Sequence, residues 1–143
     1  MNIFSGEIGL GAALTNPTEL AKHKGGITCS YPVVVSHRRF PDAEAAYHFF
    51  KLGTAAENDR LMVTVLVHKL RQHPRLLEAI TQKGGEAFLR SCTHLTNSTR
   101  NPPSTWEGVG VKSRFIQALV ESYVIALAGG PPPSLTPQGS LFD

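Results

Sequence analysis

The sequence predicts an α+β fold, in which one compact, mainly helical domain carries a small N-terminal β-sheet. First, the 143 residues are 41% hydrophobic and 17% charged, enough to bury a core without disulfides or metal. Second, Val33–Val35 is the clearest of several short apolar segments before residue 40, which indicate strands. Third, apolar residues recur at helical spacing after residue 40. We predict a domain at residues 1–128 and a proline- and glycine-rich tail at residues 129–143.

The first part of the chain is expected to form short strands and loops because glycines interrupt its apolar residues. The predicted segments are extended regions at 3–4 and 8–14, a strand at 31–36 and a turn made by His37, Arg38 and Arg39. Pro41 and Asp42 then mark a helix start, since Asp42 can accept hydrogen bonds from free backbone N–H groups. This helix is predicted to run to about residue 58.

The remaining elements are predicted from helical periodicity and from residues that start or stop helices. Pro74 ends one helix and suits the first turn of the next, Gly84 and Gly85 close that helix, and Ser113 caps the last one. The predicted segments are helices at 59–73, 75–83 and 115–127, a helix or strand at 86–93, and a surface loop at 97–105.

The net charge and the cysteine content exclude few classes of function. The net charge of +3 fits a phosphorylated ligand or nucleic acid, but plain solubility explains it equally well. Cys29 and Cys92 are far apart and lack zinc-site spacing, so we interpret them as free thiols. We expect a cytoplasmic protein without a membrane segment, because no cationic region precedes an apolar run and no run approaches about 18 apolar residues.

The most informative stretch is the predicted helix after residue 40. Glu44, Tyr47, His48 and Lys51 are spaced three, four and seven residues apart, which places them on one helix face. An acid, a phenol, an imidazole and an ammonium can therefore converge on one small ligand. The alternative is that Tyr47 enters the core while the charged side chains form a solvated face.

A second candidate site contains Trp106, Glu107, Gly108 and Gly110. Glycines allow a ligand to approach the backbone closely, the helix start that follows attracts anions, and an indole offers a flat surface to a base. The alternative is a tryptophan that fills the core before a turn. Gly-x-Gly without a longer fingerprint is no evidence for a dinucleotide fold.

Four motifs follow the order found in one known family. They are Leu14-Thr15-Asn16, residues 40–51, residues 68–77 followed by Gly84-Gly85, and Trp106-Glu107-Gly108. Together they resemble the NADAR superfamily, also called the YbiA-like proteins, over residues 4 to 128. The chain departs from the family pattern at Ala45, where the family has His, and at His48, where it has Gln.

The resemblance implies the fold of that family and an N-glycosidase activity, the hydrolysis of a bond between ribose and a base nitrogen. Members are described as cleaving ribosylamino-pyrimidine phosphates or as releasing ADP-ribose from guanine in DNA. The resemblance implies catalytic roles for Glu44, Trp106 and Glu107 and binding roles for Lys51 and Asn16. It implies no cofactor and no metal. An ADP-ribose-type ligand, free or on ADP-ribosylated DNA, is the expected partner.

The chemistry of that reaction suits these side chains. Cleavage builds positive charge on the sugar carbon, which a carboxylate such as Glu44 stabilises while it deprotonates water. Glu107 is expected to hold ribose hydroxyls or act as a second acid/base group, and Trp106 to stack on the base. The predicted substrate-binding residues are Asn16, Arg38, Arg39, Tyr47, His48, Lys51, Gly108 and Gly110, with Lys51 and either arginine meeting phosphate.

Two other functions stay open. The pocket could bind an NAD-derived nucleotide without cleaving it, or the domain could be an adaptor carried by its tail. Residues 138–143, Gln-Gly-Ser-Leu-Phe-Asp, resemble the short peptides with which bacterial proteins dock to the DNA polymerase sliding clamp. Leu141 and Phe142 would be the apolar anchors and Gln138 the polar contact. The alternative is an ordinary terminus without a partner.

Overall fold

The structure is a computed structural model that describes residues 1–96, 101–102 and 104–133. Over these residues it shows a compact α+β fold, as predicted, with seven α-helices and two antiparallel two-stranded sheets. The elements are α1 (Leu10–Ala13), α2 (Thr18–His23), β1 (Val33–Val35), β2 (Arg38–Phe40), α3 (Ala43–Phe50), α4 (Ala55–Gln72), α5 (Pro74–Lys83), α6 (Glu86–Ser91), β3 (Thr93–His94), β4 (Gly108–Val109), a 3-10 helix (Gly110–Lys112) and α7 (Arg114–Ala128).

The core is organised around α4, which packs most extensively against α7 and also against α3, α5 and β1. Its buried positions run almost without interruption from Leu61 to Leu70, so this helix is covered on several sides. The last helix begins where predicted, because the Ser113 side chain accepts a hydrogen bond from Ile116 N. Gly129 ends it in the left-handed conformation. No helix among the described residues is long and apolar enough to cross a membrane.

The N-terminal sheet is a hairpin of β1 and β2, in which Val35 pairs with Arg38 and Val33 with Phe40. The turn is therefore Ser36 and His37, both with positive φ angles of 51° and 64°. Two positive φ angles are typical of the hairpin turn that matches strand twist. The prediction that Arg38 and Arg39 belong to the turn is wrong, since both lie in β2.

The predicted helix from residue 42 to 58 is two helices. Asp42 caps the first as predicted, accepting from Ala45 N, but α3 ends at Phe50. Thr54 then caps α4 by accepting from Glu57 N at 3.2 Å, while Glu57 pairs with the Thr54 hydroxyl at 2.6 Å. This Thr-x-x-Glu pattern is typical of a helix start, and it was visible in the sequence.

The prediction of an extended segment at residues 8–14 is also wrong, because residues 10–13 form the short helix α1. Gly11 packs so closely on the Asn2 carbonyl that a Cβ would lie 2.5 Å from it. The glycine serves close helix packing, which local sequence does not distinguish from an interrupted strand. The segment predicted at residues 3–4 is reduced to a bridge between Asn2 and Thr93.

The other predicted elements are present with small changes of boundary. Helix α5 starts at Pro74 and ends at the glycine pair, and the undecided segment after it contains the helix α6 and the short strand β3. The loop predicted at 97–105 lies partly outside the described residues. After α7, residues 129–133 return to α4, where Thr64 Oγ1 donates to the Pro133 carbonyl at 2.8 Å and Arg71 donates to the Gly130 carbonyl.

Candidate functional site

A cavity of about 680 Å³ lies between α3, the first turns of α4 and α7, and two loops. The loops contribute residues 15–17, and residues 102 and 104–106. Its volume falls in the range of about 300–1,000 Å³ that is typical of small-molecule sites. As far as the described residues form them, its walls combine one carboxylate, two cationic side chains, two histidines and several aromatic rings. Such a mixed lining suits a ligand with both charged and planar parts.

The predicted stripe on α3 faces this cavity. Glu44, Tyr47 and His48 line it because helical spacing keeps the three on one side of α3, and Lys51, which directly follows the helix, lines it as well. Tyr47 is nevertheless 5% exposed and belongs to the core, as the alternative interpretation of the stripe expected. One face of α3 therefore both packs against the protein and lines the cavity.

Glu44 is the carboxylate of the cavity. Its side chain is 37% exposed, and Oε1 lies 2.8 Å from Nε2 of His48 one helical turn later. Burial raises the pKa of Glu44, while the neighbouring His48 lowers it by less. Glu44 is thus a carboxyl group that is more basic than usual and has an imidazole in hydrogen-bonding distance, which are properties of general acid/base residues.

Asn16 lines the cavity from the segment after α1 and is 5% exposed. Its carbonyl oxygen accepts from the backbone N–H of Glu44 at 3.2 Å, which ties the segment to the start of α3. Its side-chain Nδ2 contacts Met62 Sδ at 3.1 Å, whereas Oδ1 has no hydrogen-bond partner among the described residues. Because this oxygen is buried and unpaired, it costs about 1–3 kcal/mol, so contacts elsewhere must hold Asn16 in this position.

Trp106 lines the cavity from the loop before β4 and packs partly against the core. The guanidinium of Arg114 lies 3.8 Å from the centre of the indole ring, and the Tyr47 ring meets it edge-on at 5.8 Å. One face of the indole is therefore already covered by a cation. A base that stacks on Trp106 would have to use the remaining surface.

Arg114 is a cavity residue that we did not predict from the sequence. Its Nε and Nη2 donate to Asp59 Oδ1 at 2.9 and 2.7 Å, and Nη1 donates to the Thr105 hydroxyl at 2.9 Å. Its position directly after the predicted cap Ser113 was the available signal, since a cation there lies close to Trp106. The three hydrogen bonds hold the guanidinium in place beside the cavity.

His94 is the second cavity residue that sequence reasoning missed. Its Nδ1 lies 2.7 Å from the Ile3 carbonyl and its ring packs 4.6 Å from that of Phe115. Burial lowers the pKa of His94, and the hydrogen bond to the Ile3 carbonyl opposes this effect. Burial thus favours the neutral form of this imidazole, which packs between the N-terminal segment and α7, and no spacing motif identified it.

Three predicted residues of the second candidate site do not line the cavity. Glu107 Oε1 accepts from the backbone N–H and the hydroxyl of Thr96 at 2.7 and 2.8 Å, and these bonds lower the pKa of Glu107. At Gly108 and Gly110 a Cβ would lie 3.0 Å from the Ser113 nitrogen and 2.9 Å from the Arg90 carbonyl. The two glycines allow approach of the protein's own backbone, and the glutamate holds a loop.

The predicted arginines on β2 also lie away from the cavity lining. Arg38 stacks on the Phe49 ring at 4.2 Å, and Arg39 is exposed opposite Val34 in the hairpin. Gln138, Leu141 and Phe142 lie outside the described residues. Within the described part of the chain, no group of three or more His, Cys, Asp or Glu side chains could hold a metal ion.

Comparisons of the chain with protein-family models, with curated proteins and with solved structures found no match. The resemblance to the NADAR superfamily therefore stays a prediction, carried by the ordered motifs in the sequence. The interpretation of the cavity depends on its own geometry.

Proposed function

We propose that the protein is an N-glycosidase that hydrolyses the bond between ribose and a base or amine nitrogen in a phosphorylated, ADP-ribose-like ligand. One observation carries the proposal. Glu44, a carboxyl group whose pKa is raised by burial, shares a cavity of about 680 Å³ with the indole of Trp106 and the cationic Lys51. Each part of such a ligand then has a matching group. A free nucleotide or ADP-ribosylated DNA in the cytoplasm would be the substrate.

In this proposal Glu44 acts on water. The ionised carboxylate accepts a proton from the water that attacks the anomeric carbon, and a raised pKa makes it a better acceptor. The bond from that carbon to the base breaks, its electron pair leaves with the base nitrogen, and that nitrogen takes up a proton. The negative charge beside the sugar also stabilises the positive charge that develops on it. His48, at 2.8 Å, is placed to exchange protons with Glu44.

The other lining residues account for binding. Lys51 and Arg114 are the cations that the described residues contribute to the lining, and both suit phosphate oxygens, with Arg114 held by Asp59. Asn16 forms the part of the wall next to Glu44, whose backbone N–H donates to the Asn16 carbonyl. Trp106 offers its uncovered surface to the base. No role in this scheme falls to Glu107, which holds the Thr96 loop.

A second function, binding without cleavage, is favoured by one observation. Glu44 is the one carboxylate in the lining formed by the described residues, so a second acid/base group must be a histidine, Tyr47, Lys51 or water. A domain that binds an NAD-derived nucleotide needs no such group. The two functions differ in a simple outcome, which is whether the ligand leaves the protein intact.

The test incubates the protein with two substrates, guanine-ADP-ribosylated DNA and a ribosylamino-pyrimidine phosphate, and separates the products by chromatography. Release of ADP-ribose or of the free pyrimidine is expected from one of them. Retention of an intact ligand without release would establish the binding function instead. If neither compound is bound or cleaved, the proposed function is wrong.

A further inference from the structure

Lys69 is the most deeply buried charged side chain among the described residues, at 1% exposure on the inner face of α4. It has no part in the proposed mechanism. Burying an ammonium group costs several kcal/mol unless hydrogen bonds and nearby charge compensate. An apolar side chain of similar size would fill the same space without that cost. The position therefore needs a reason beyond packing.

The hydrogen bond of Lys69 indicates that reason. Its Nζ donates to the backbone carbonyl of Thr15 at 2.6 Å, across 54 positions of sequence. Thr15 and Asn16 both belong to the cavity wall. The next carbonyl, that of Asn16, accepts from Glu44 N. Two consecutive carbonyls are thus held by two different helices, one by α4 and one by α3.

The nearby carboxylate does not explain the bond. Burial lowers the pKa of Lys69 to about 7. The charge of Asp42 favours the ammonium form and opposes this effect. The two oxygens of Asp42 accept instead from the backbone N–H groups of Ala45 and Glu19. Asp42 is used to cap α3, and the Lys69 hydrogen bond goes to the segment that carries Asn16.

We propose that Lys69 is a positioning residue of the cavity: through the Thr15 carbonyl it fixes the segment that carries Asn16 in the cavity wall, where the Asn16 carbonyl accepts from the backbone N–H of Glu44. Asn16 then keeps its place beside the start of α3 when a ligand enters, without any rearrangement of the segment. The identity of the ligand rests on the proposed function, whereas the effect of Lys69 on Asn16 does not. Lys69 touches no ligand in this arrangement and acts only through the backbone.

The first experiment reads the Asn16 side chain directly. In ¹H–¹⁵N spectra, Lys69→Met should shift or broaden the side-chain amide signals of Asn16, because the segment loses its anchor. Ile80→Val, a core change on α5 away from the cavity, is the matched control and should leave these signals unchanged. Unchanged Asn16 signals in folded Lys69→Met would overturn the proposal.

The second experiment reads ligand affinity. Lys69→Met should weaken ADP-ribose binding about tenfold in the wild-type background and cause little further loss in an Asn16→Ala background, as expected for two residues that act as a unit. Equal losses in both backgrounds would contradict the proposal. If wild-type protein does not bind ADP-ribose, the proposed function fails, and the spectra still decide the role of Lys69.

A titration of the wild-type protein replaces these variants if Lys69→Met does not fold. The ¹³C signals of the Lys69 side chain and of the Thr15 carbonyl should titrate with one common midpoint. Different midpoints would overturn the proposal. The other titratable or charged groups on the elements packed against α4 must be assigned separately; they are Asp42, Glu44, Tyr47 and His48 at α3, Arg75, Glu78 and Lys83 on α5, and Arg114, Glu121 and Tyr123 on α7.

Discussion

The helix α3 and the segment 106–110 were both predicted as parts of one site, and the structure uses them differently. Three side chains predicted on this helix, those of Glu44, Tyr47 and His48, lie within α3 and line the cavity, and so does Lys51, which directly follows α3. In the segment, Trp106 alone of the four predicted residues does so. Its other members bind or approach the protein's own backbone. A predicted helix face specifies where its side chains point, whereas a motif in a loop does not.

The physical reason is the difference in local constraint. On a helix, residues three and four apart share a face whatever surrounds them. In a loop, neighbouring side chains take directions that depend on backbone angles and on distant partners. Glu107 follows its hydrogen bonds to Thr96, which lies 11 residues away. Three predictions test this contrast.

The largest expected effect separates the two glutamates by activity. Glu44→Gln should fold and lose about 10²–10⁴-fold in the rate of base release, the usual contribution of a general acid/base group. Glu107→Gln should retain nearly the wild-type rate, because its carboxylate lies outside the cavity lining. Single-turnover kinetics on the cleaved substrate provide the measurement. Full turnover by Glu44→Gln would contradict the mechanism, and a comparable loss in Glu107→Gln would place that residue in the site.

A smaller effect is expected on stability at Gly110. Gly110→Ala should lower the free energy of unfolding by about 1–2 kcal/mol for the left-handed backbone at φ 57°, and by more for the contact with the Arg90 carbonyl. Gly53→Ala is the control, since no atom lies within 4 Å of its Cβ. Urea unfolding measures both. Weakened ligand binding by folded Gly110→Ala, without the stability loss, would restore the ligand-approach role.

The smallest effect is a pH dependence of opposite sign for the two carboxyls. Burial raises the pKa of Glu44 above 4.5, so its stabilising contribution is complete below that value and is lost as pH rises through the folded-state pKa. The hydrogen bonds from Thr96 lower the pKa of Glu107, so its contribution is present above 4.5 and is lost as pH falls through its folded-state pKa.

Thermal unfolding of the glutamine variants measures these signs. At pH 7, Glu44→Gln should melt above wild type and Glu107→Gln below it. Both differences should shrink as pH is lowered and the carboxyls of the wild-type protein become protonated. A Glu107→Gln variant as stable as wild type at pH 7 would mean that the Thr96 contacts contribute nothing.

Local signals explain how much of the fold could be predicted. Asp42 and Ser113 cap helices as expected, and Pro74 starts α5, because each of these effects acts within one helical turn. The predictions were wrong where the same type of residue fits more than one kind of local structure. Gly11 packs in a helix instead of interrupting a strand, and the hairpin turn uses Ser36 with a positive φ angle.

The candidate site was predictable to the extent that it lies on a helix. Arg114 was missed because its role depends on Asp59, 55 positions away, and on the ring of Trp106. Lys69 falls in a helix that the sequence predicts, but nothing local indicates that its ammonium group meets the Thr15 carbonyl. Both contacts join residues that only the packing of α4 brings together.

The sequence alone determined the fold class, the helix caps and the shared face of Glu44, Tyr47 and His48, because these depend on interactions between residues a few positions apart. The tertiary structure decided that this face lines a cavity, that Glu107 supports a loop and that a lysine is buried behind Asn16. These outcomes depend on contacts between distant segments, whose geometry is set by how the helices pack around α4.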